Sequence, residues 1–488
     1  MKLINYRAAV KILGMVTIII AAAMLVPAGV SLCYGETAVA KAYLFCALPL
    51  AALGILAVAL VPKTDTNGLR MRDGFFIVVV CWVMVSVWGA LPFMVSGDIP
   101  NFVDAFFESA SGYTTTGSTL LSDVEVMSRG GLFWRSFNHW LGGMGIIMMA
   151  LVLLPMLGSG GSRLVKAEST GPIYESGDFS ARKSSWKLYT VYLAVTVLMY
   201  SMLRLGGLNP FDAAIHMFGA LGTGGFSSYN TSIGTFDSAY VDYVTSFFML
   251  ICSINFALVV YAFSGKLKRA LLDTEFLTFN GIVLASTAFI SVMLWKSGTY
   301  ENFSQSLRNG FFLVCSLASS SGYSNGSVGP WPVPCKIVLF FLMLIGGCAA
   351  STSGGMKVVR IVLLFKIFKR RISRRLHPSA MYSVTLNGRK VDDETLRNVL
   401  AYTVCYAAAA VIATVLLCFD GIDLHTSVAT CVSSLSNIGP DYWFDGSVMC
   451  FGILSPLGKL LNVALMFLGR LEFLSVAMLF SRSFRDRT

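Results

Sequence analysis

The chain has 488 residues, of which 55% are hydrophobic and 13% charged, with a mean hydropathy of +0.70. A charged fraction about half that of ordinary globular domains excludes a soluble protein. The net charge of +11 is that of many nucleic-acid binders, but here it is distributed along the chain as membrane topology requires.

Uncharged runs long enough to cross a bilayer cover residues 12–33, 42–61, 74–97, 137–162, 243–264, 276–295, 337–356 and 398–419. Residues 188–203 make a shorter span, and 460–480 make one that carries Arg470 and Glu472, for ten spans in all. The expected fold is therefore an all-α polytopic membrane protein. No small-residue cleavage site follows the first run, so it reads as a retained helix and not as a signal peptide. Between the spans lie apolar stretches at 101–112, 209–221, 304–317 and 425–435, each too short to cross. The first two spans form an accessory hairpin over residues 1–68. Four units of helix, half-helix, loop and helix follow, at 69–165, 180–270, 271–375 and 390–485.

With a cytoplasmic N-terminus, the inner segments hold 28 of the 37 Lys and Arg against 11 acidic residues. The outer segments hold 8 basic and 14 acidic residues, and one of each sits in the last span. This bias places both termini in the cytoplasm. Eleven cysteines without a C-x-x-C pair and four scattered His suggest small buried hydrophobes, not disulfides or a metal cluster.

Each half-helix ends at a glycine-bearing loop. The four read Thr114-Thr115-Thr116-Gly117-Ser118, Thr223-Gly224-Gly225-Phe226-Ser227, Ser319-Ser320-Ser321-Gly322-Tyr323 and Ser436-Asn437-Ile438-Gly439-Pro440. Their anchor glycines are spaced by 108, 97 and 117 residues. Irregular backbone at membrane depth persists only when it is buried in protein or lines a wet cavity. Four copies in one chain are enough to surround one axis. Rings of backbone carbonyls replace the hydration shell of a cation such as K⁺, and glycine turns a carbonyl inward without a Cβ clash. Hydroxyls at Thr115, Thr116, Ser118, Thr223, Ser227, Ser320 and Ser321 keep the loops slim and polar. The half-helix C-termini point their negative dipole ends at the same place. Asp104, Glu108, Asp123, Asp212 and Asp441 are expected on the outer side, raising the local cation concentration. Gly222-x-Gly224 follows no strand, so it is not a nucleotide loop.

In the third unit, Gly346-Gly347-Cys348-Ala349-Ala350-Ser351-Thr352-Ser353-Gly354-Gly355, followed by Lys357, breaks an apolar helix. Unwound backbone of this kind recurs in transport proteins, while tight packing of small residues is the alternative. Arg470 sits mid-helix in the fourth unit and must meet backbone carbonyls, protein or pore water. Gly142-Gly143-Met144-Gly145 reads as close helix packing. The inner segments 160–187 and 357–397 are candidate docking faces. The second is strongly basic, and its Lys and Arg also suit anionic lipid headgroups.

At these residues the chain resembles the TrkH family, the membrane subunits of Trk-type potassium uptake systems, in the superfamily that includes KtrB and plant HKT transporters. The resemblance spans essentially the whole chain. It is strongest at Arg135-Ser136-Phe137, Trp140 through Ile147, Lys166-Ala167-Glu168, Gly171-Pro172, Gly225-Phe226-Ser227, Gly346 through Lys357, and Gly469-Arg470-Leu471-Glu472. It implies K⁺ as transported ion with no bound cofactor, and one pore per protomer in a homodimer of the inner membrane. It also implies control by a cytoplasmic TrkA-type ring that holds the nucleotide. The filter would comprise Thr115, Thr116, Gly117, Thr223, Gly224, Gly225, Ser320, Ser321, Gly322, Asn437, Ile438 and Gly439. The gate would comprise Ala350, Ser351, Thr352, Ser353, Gly354, Gly355 and Lys357, with Arg470 facing the pore. All four glycines are present, which favours potassium over sodium; Ser353 stands where many relatives have Ala. Channel-like flux and H⁺- or Na⁺-coupled symport are both open from sequence. A membrane-embedded enzyme is the rival from outside transport; it needs a convergent nucleophile, acid–base or metal set, which the sequence does not offer.

Overall fold

The computed structural model describes residues 5–61, 71–143, 145, 181–263, 265, 267–377, 382–440, 451–473 and 476. Most of the expected span 137–162, residues 160–180 of the inner segment 160–187, Asp441 and the end of the last span lie outside these residues. Among the described residues the fold is α-helical apart from one hairpin, Thr385–Leu386 with Arg389–Lys390. Its turn is Asn387-Gly388, both at positive φ (51° and 76°), a dipeptide that two-residue hairpins favour.

Six described helices are long and apolar enough to cross a membrane: Tyr6–Cys33, Thr37–Ala59, Arg72–Ser96, Trp186–Leu205, Thr274–Lys296 and Asp393–Phe419. The count falls short of ten for identifiable reasons. The run 243–264 is not one helix. Ala239–Ser253 and Phe256–Phe263 are separated by a break, with a bend of 102° between the two segments. There the carbonyls of Cys252 and Ser253 accept from Thr352 N (3.2 Å) and Cys348 N (2.9 Å). Hydropathy cannot register such a diversion of helix carbonyls to another chain segment. The run 337–356 stops at Ile345, where Gly346 adopts φ 69°. The helix expected from residue 137 begins eight residues earlier, as Arg129–Gly143. Arg135 is accommodated inside it because Glu108 pairs with it at 2.7 Å.

The four short apolar stretches form the half-helices Phe102–Tyr113, Pro210–Gly222, Phe303–Ala318 and Leu424–Ser436. With 12, 13, 16 and 13 residues, each is about 18–24 Å long, less than the hydrocarbon core. Asn101, Asn209 and Asp423 cap three of them by accepting from backbone N–H groups of the first turn. Asn302 holds the N-cap position of the remaining one.

The first helices, Tyr6–Ala23 and Leu25–Cys33, pack against Thr37–Ala59. Gly14 and Gly54 face each other across this contact. A Cβ on Gly54 would lie 2.8 Å from the Gly14 carbonyl and 2.7 Å from Ile18 Cγ1. Gly54→Leu is therefore expected to destabilise the hairpin by about 1–3 kcal/mol through overpacking, read as a lower melting temperature in detergent. An unchanged melting temperature would show that the two helices do not depend on this contact.

Candidate functional site

The four loops repeat one backbone conformation. Thr115, Thr223, Ser320 and Asn437 are all left-handed, at φ 56°, 55°, 55° and 53°. Two residues later Gly117, Gly225, Gly322 and Gly439 have φ 82°, 77°, 73° and 96°. Hydrogen bonds repeat too: Thr116 N, Gly224 N, Ser321 N and Ile438 N donate five residues back, to Ser111, Gly219, Ser316 and Ser433 carbonyls, at 2.8–3.0 Å. Each half-helix thus ends in the same wrapped turn.

The loops also touch in cyclic order. A Cβ on Gly117 would lie 1.8 Å from Gly224 O, one on Gly225 2.0 Å from Ser321 O, and one on Gly322 2.1 Å from Ile438 O. The circle closes at Gly439, whose Cβ would lie 2.6 Å from Thr116 O. Thr116, Gly224, Ser321 and Ile438 are buried, yet among the described residues no hydrogen bond reaches their carbonyl oxygens. Buried carbonyls are almost always paired; here four stand on a closed ring without a donor among the described residues. Thr115 Oγ1 and Asn437 Oδ1 are buried at the inner end, also without a protein partner. On the other side, a vestibule of about 160 Å³ is lined by Gly117, Gly225, Gly322 and Gly439.

Behind the ring, polar side chains join neighbouring units. Arg135 Nε donates to Glu108 Oε1 at 2.7 Å, and its guanidinium lies 3.9 Å from the Phe226 ring centre. Glu108 also accepts from Thr119 Oγ1 (2.9 Å) and Leu120 N (3.1 Å). Tyr323 Oη reaches the carbonyls of His216 (3.2 Å) and Phe226 (3.1 Å). Asn437 Nδ2 donates to Thr116 Oγ1 (2.8 Å) and Met466 O (3.0 Å).

These contacts correct the expected outer acids. Glu108 is buried against Arg135, and Asp212 is buried as acceptor for Ser228 Oγ and Tyr229 Oη, both at 2.8 Å. Burial in the loop scaffold takes both away from the aqueous mouth. Asp104 bonds Lys459 at 2.7 Å. Asp123 does face water; the Asn230 side-chain amide and the Glu125 N–H hold its pKa below the ordinary carboxylate value.

Directly beneath the ring runs the break between Val333–Ile345 and Val358–Leu376. Gly354 N donates to Ser320 Oγ at 2.5 Å, and a Cβ on Gly354 would lie 2.0 Å from Ser436 O. Lys357 Nζ folds back onto Ser353 O. Ala350, Ser351, Thr352, Ser353, Gly354, Gly355 and Lys357 therefore make one plug-like loop against the inner ends of the third and fourth ring segments. Arg470 is buried beside it. Its Nη1 donates to Thr352 O (2.7 Å), and its Nη2 donates to Gly142 O (2.7 Å) and Gly143 O (3.0 Å). Gly142 itself is a packing glycine, where a Cβ would lie 1.9 Å from Tyr113 O.

The profile of the TrkH family, described as cation transport protein, matches residues 49–486. The chain belongs to the TrkH family. Among its relatives, the Trk system potassium uptake protein TrkH of Salmonella typhimurium is 35% identical, with 98% of this chain and 99% of that protein covered. The Trk system potassium uptake protein TrkG of Escherichia coli is 34% identical over 85% of this chain and 86% of its own. The crystal structure of the potassium transporter TrkH from Vibrio parahaemolyticus superposes with a TM-score of 0.88 at 30% identity, covering 99% of this chain and 100% of that one. TrkH relatives are named as transporters, and this member is a multi-pass membrane protein, not an enzyme.

Sequence reasoning missed Glu275. Its Oε1 accepts from Ala349 N (2.7 Å) and Val359 N (3.1 Å), so one buried carboxylate ties both ends of the plug loop to helix Thr274–Lys296. The signal was available: an acid at the mouth of an apolar span needs a partner. Hydrogen bonds to a charged acceptor contribute about 1.5–3 kcal/mol each. Glu275→Ala is expected to speed hydrogen exchange at the Ala349 and Val359 amides by about tenfold or more, with Glu275→Gln closer to wild type. Equal exchange in wild type and Glu275→Ala would remove the tether.

Proposed function

We propose that this chain is the potassium-conducting membrane component of a Trk-type uptake system in the inner membrane, with both termini cytoplasmic. One observation carries the reading: the closed ring of glycine–carbonyl contacts, with four buried carbonyls that lack protein donors. Residues 115–117, 223–225, 320–322 and 437–439 form the filter, in which dehydrated K⁺ takes carbonyl and hydroxyl oxygens in place of water. The likeness to proteins named as potassium uptake proteins supports K⁺ as the ion.

The plug loop, residues 350–357, is the gate, and Arg470 holds it shut by binding Thr352 O and the first-unit carbonyls together. A guanidinium stays charged when buried, so its field also opposes a cation below the filter. The family resemblance supports a homodimer, one pore per protomer, controlled by a TrkA-type nucleotide-binding ring on the cytoplasmic face.

Gly117→Ser places a side chain where the Cβ alone would lie 1.8 Å from Gly224 O. It is expected to lower K⁺ over Na⁺ discrimination, measured as growth of a potassium-uptake-deficient strain at low K⁺ and as relative Rb⁺ and Na⁺ flux in liposomes. Unaltered discrimination in well-expressed protein would take Gly117 out of the filter.

Arg470→Ala removes three hydrogen bonds to carbonyls and the positive charge. The variant is expected to fold and to show raised basal flux with weakened control by the partner subunit. A stable variant with normal flux and normal control would refute the gating role.

A further inference from the structure

The helix that follows the plug loop, Val358–Leu376, meets the start of Asp393–Phe419 at a groove of about 300 Å³. Arg370, Arg371, Arg374 and Arg397 surround it, with Leu396 and Leu400 beneath. One carboxylate is present: Asp393 accepts from Arg370 Nη1 at 2.8 Å. Four guanidinium groups against one carboxylate leave three positive charges facing an apolar floor. Arg371, Arg374 and Arg397 are exposed. No acidic residue occurs from 358 to 391, so nothing else on this helix or the hairpin offsets them.

Two further features place this helix at the lipid surface. Phe365, Phe368, Ile372 and Leu376 are 70%, 62%, 44% and 69% exposed. Their spacing puts them in one stripe along the helix, which adjoins Arg371 and faces away from Arg370 and Arg374. Such a stripe beside arginines suits acyl chains and headgroups, not open water. Depth agrees: Arg397 lies in the second turn of Asp393–Phe419, a membrane-crossing helix, within about 8 Å of its start at a rise of 1.5 Å per residue. That is the level of the headgroups.

We propose that this groove binds an anionic phospholipid, its phosphate held by Arg371, Arg374 and Arg397 and its acyl chains continuing into the bilayer. Guanidinium forks match phosphate oxygens in pairs. With guanidinium groups in excess of carboxylates at the groove, a lipid carrying two phosphates fits better than one carrying a single phosphate. The site stands independently of the pore reading. Its consequence for the pore is positional, since the lipid anchors the helix that starts directly after Lys357.

The test is native mass spectrometry of purified full-length protein titrated with diphosphatidylglycerol, phosphatidylglycerol and phosphatidylcholine. Wild type is expected to retain diphosphatidylglycerol at least tenfold more than phosphatidylcholine. The triple variant Arg371→Gln, Arg374→Gln, Arg397→Gln keeps the Arg370–Asp393 pair, and is expected to lose that preference at an unchanged melting temperature. No preference in wild type would overturn the proposal without recourse to any variant, as would a preference undiminished in the folded variant. Displacement of the lipid by inorganic phosphate at equal concentration would overturn it in favour of a soluble anion. Loss of TrkA-type subunit capture with lipid adducts intact would assign the surface to a protein partner instead.

Discussion

At Gly117, Gly225, Gly322 and Gly439 the backbone of one loop lies so close to a carbonyl of the next that a methyl group at any of the four would sit 1.8–2.6 Å from an oxygen. All four are also at φ between 73° and 96°, where an L side chain is strained. Two independent requirements thus select the same residue at four places. The contact is mutual, since each segment both presents a glycine and supplies a carbonyl. Opening one contact loosens the whole ring. The length of the half-helices, the five-residue back-bonds at their ends and the spacing of the units all serve to bring these four points together.

Direct hydrogen bonds between the loops join the fourth to the first, Ser118 Oγ to Gly439 O and Asn437 Nδ2 to Thr116 Oγ1. Further rigidity comes from behind the ring. Arg135, braced by Glu108, ties the first unit to the second through the Phe226 ring, Tyr323 ties the third to the second, and Asn437 ties the fourth to the first. Each is buried, where removing one partner leaves an expensive orphan. Together they fix the ring's diameter while leaving its inner oxygens unspoken for, a condition that a purely apolar scaffold could not impose with equal precision of register.

Hydropathy and length carried the architecture. The half-helices fall within one or two residues of their sequence-derived bounds, because a dozen apolar residues between turn signals and an Asn or Asp cap leave little freedom. The clustering of 115–117, 223–225, 320–322 and 437–439 was legible from repetition. Long-range polar pairing was not. The break at 254–255 depends on a loop about a hundred residues away, and the burial of Glu108 and Asp212 depends on partners in other segments. Charge alone placed those acids outside; only tertiary structure reveals that each already has a donor set.

The glycine-rich break and Arg470 are best understood as one unit. A helix interior offers no free carbonyls to an arginine, since its own ladder consumes them. Breaking the helix at Gly346 frees acceptors at membrane depth, and Thr352 O becomes one of them. Gly142 and Gly143 supply the others from a different unit. Arg470 thereby bonds the loop and the first unit with a single planar group, while Glu275 accepts from the backbone at both bases of the loop. Any displacement of Thr352 must break a charge-assisted bond that the low dielectric makes costly, unless the guanidinium moves with it. Loop position and arginine position are consequently coupled.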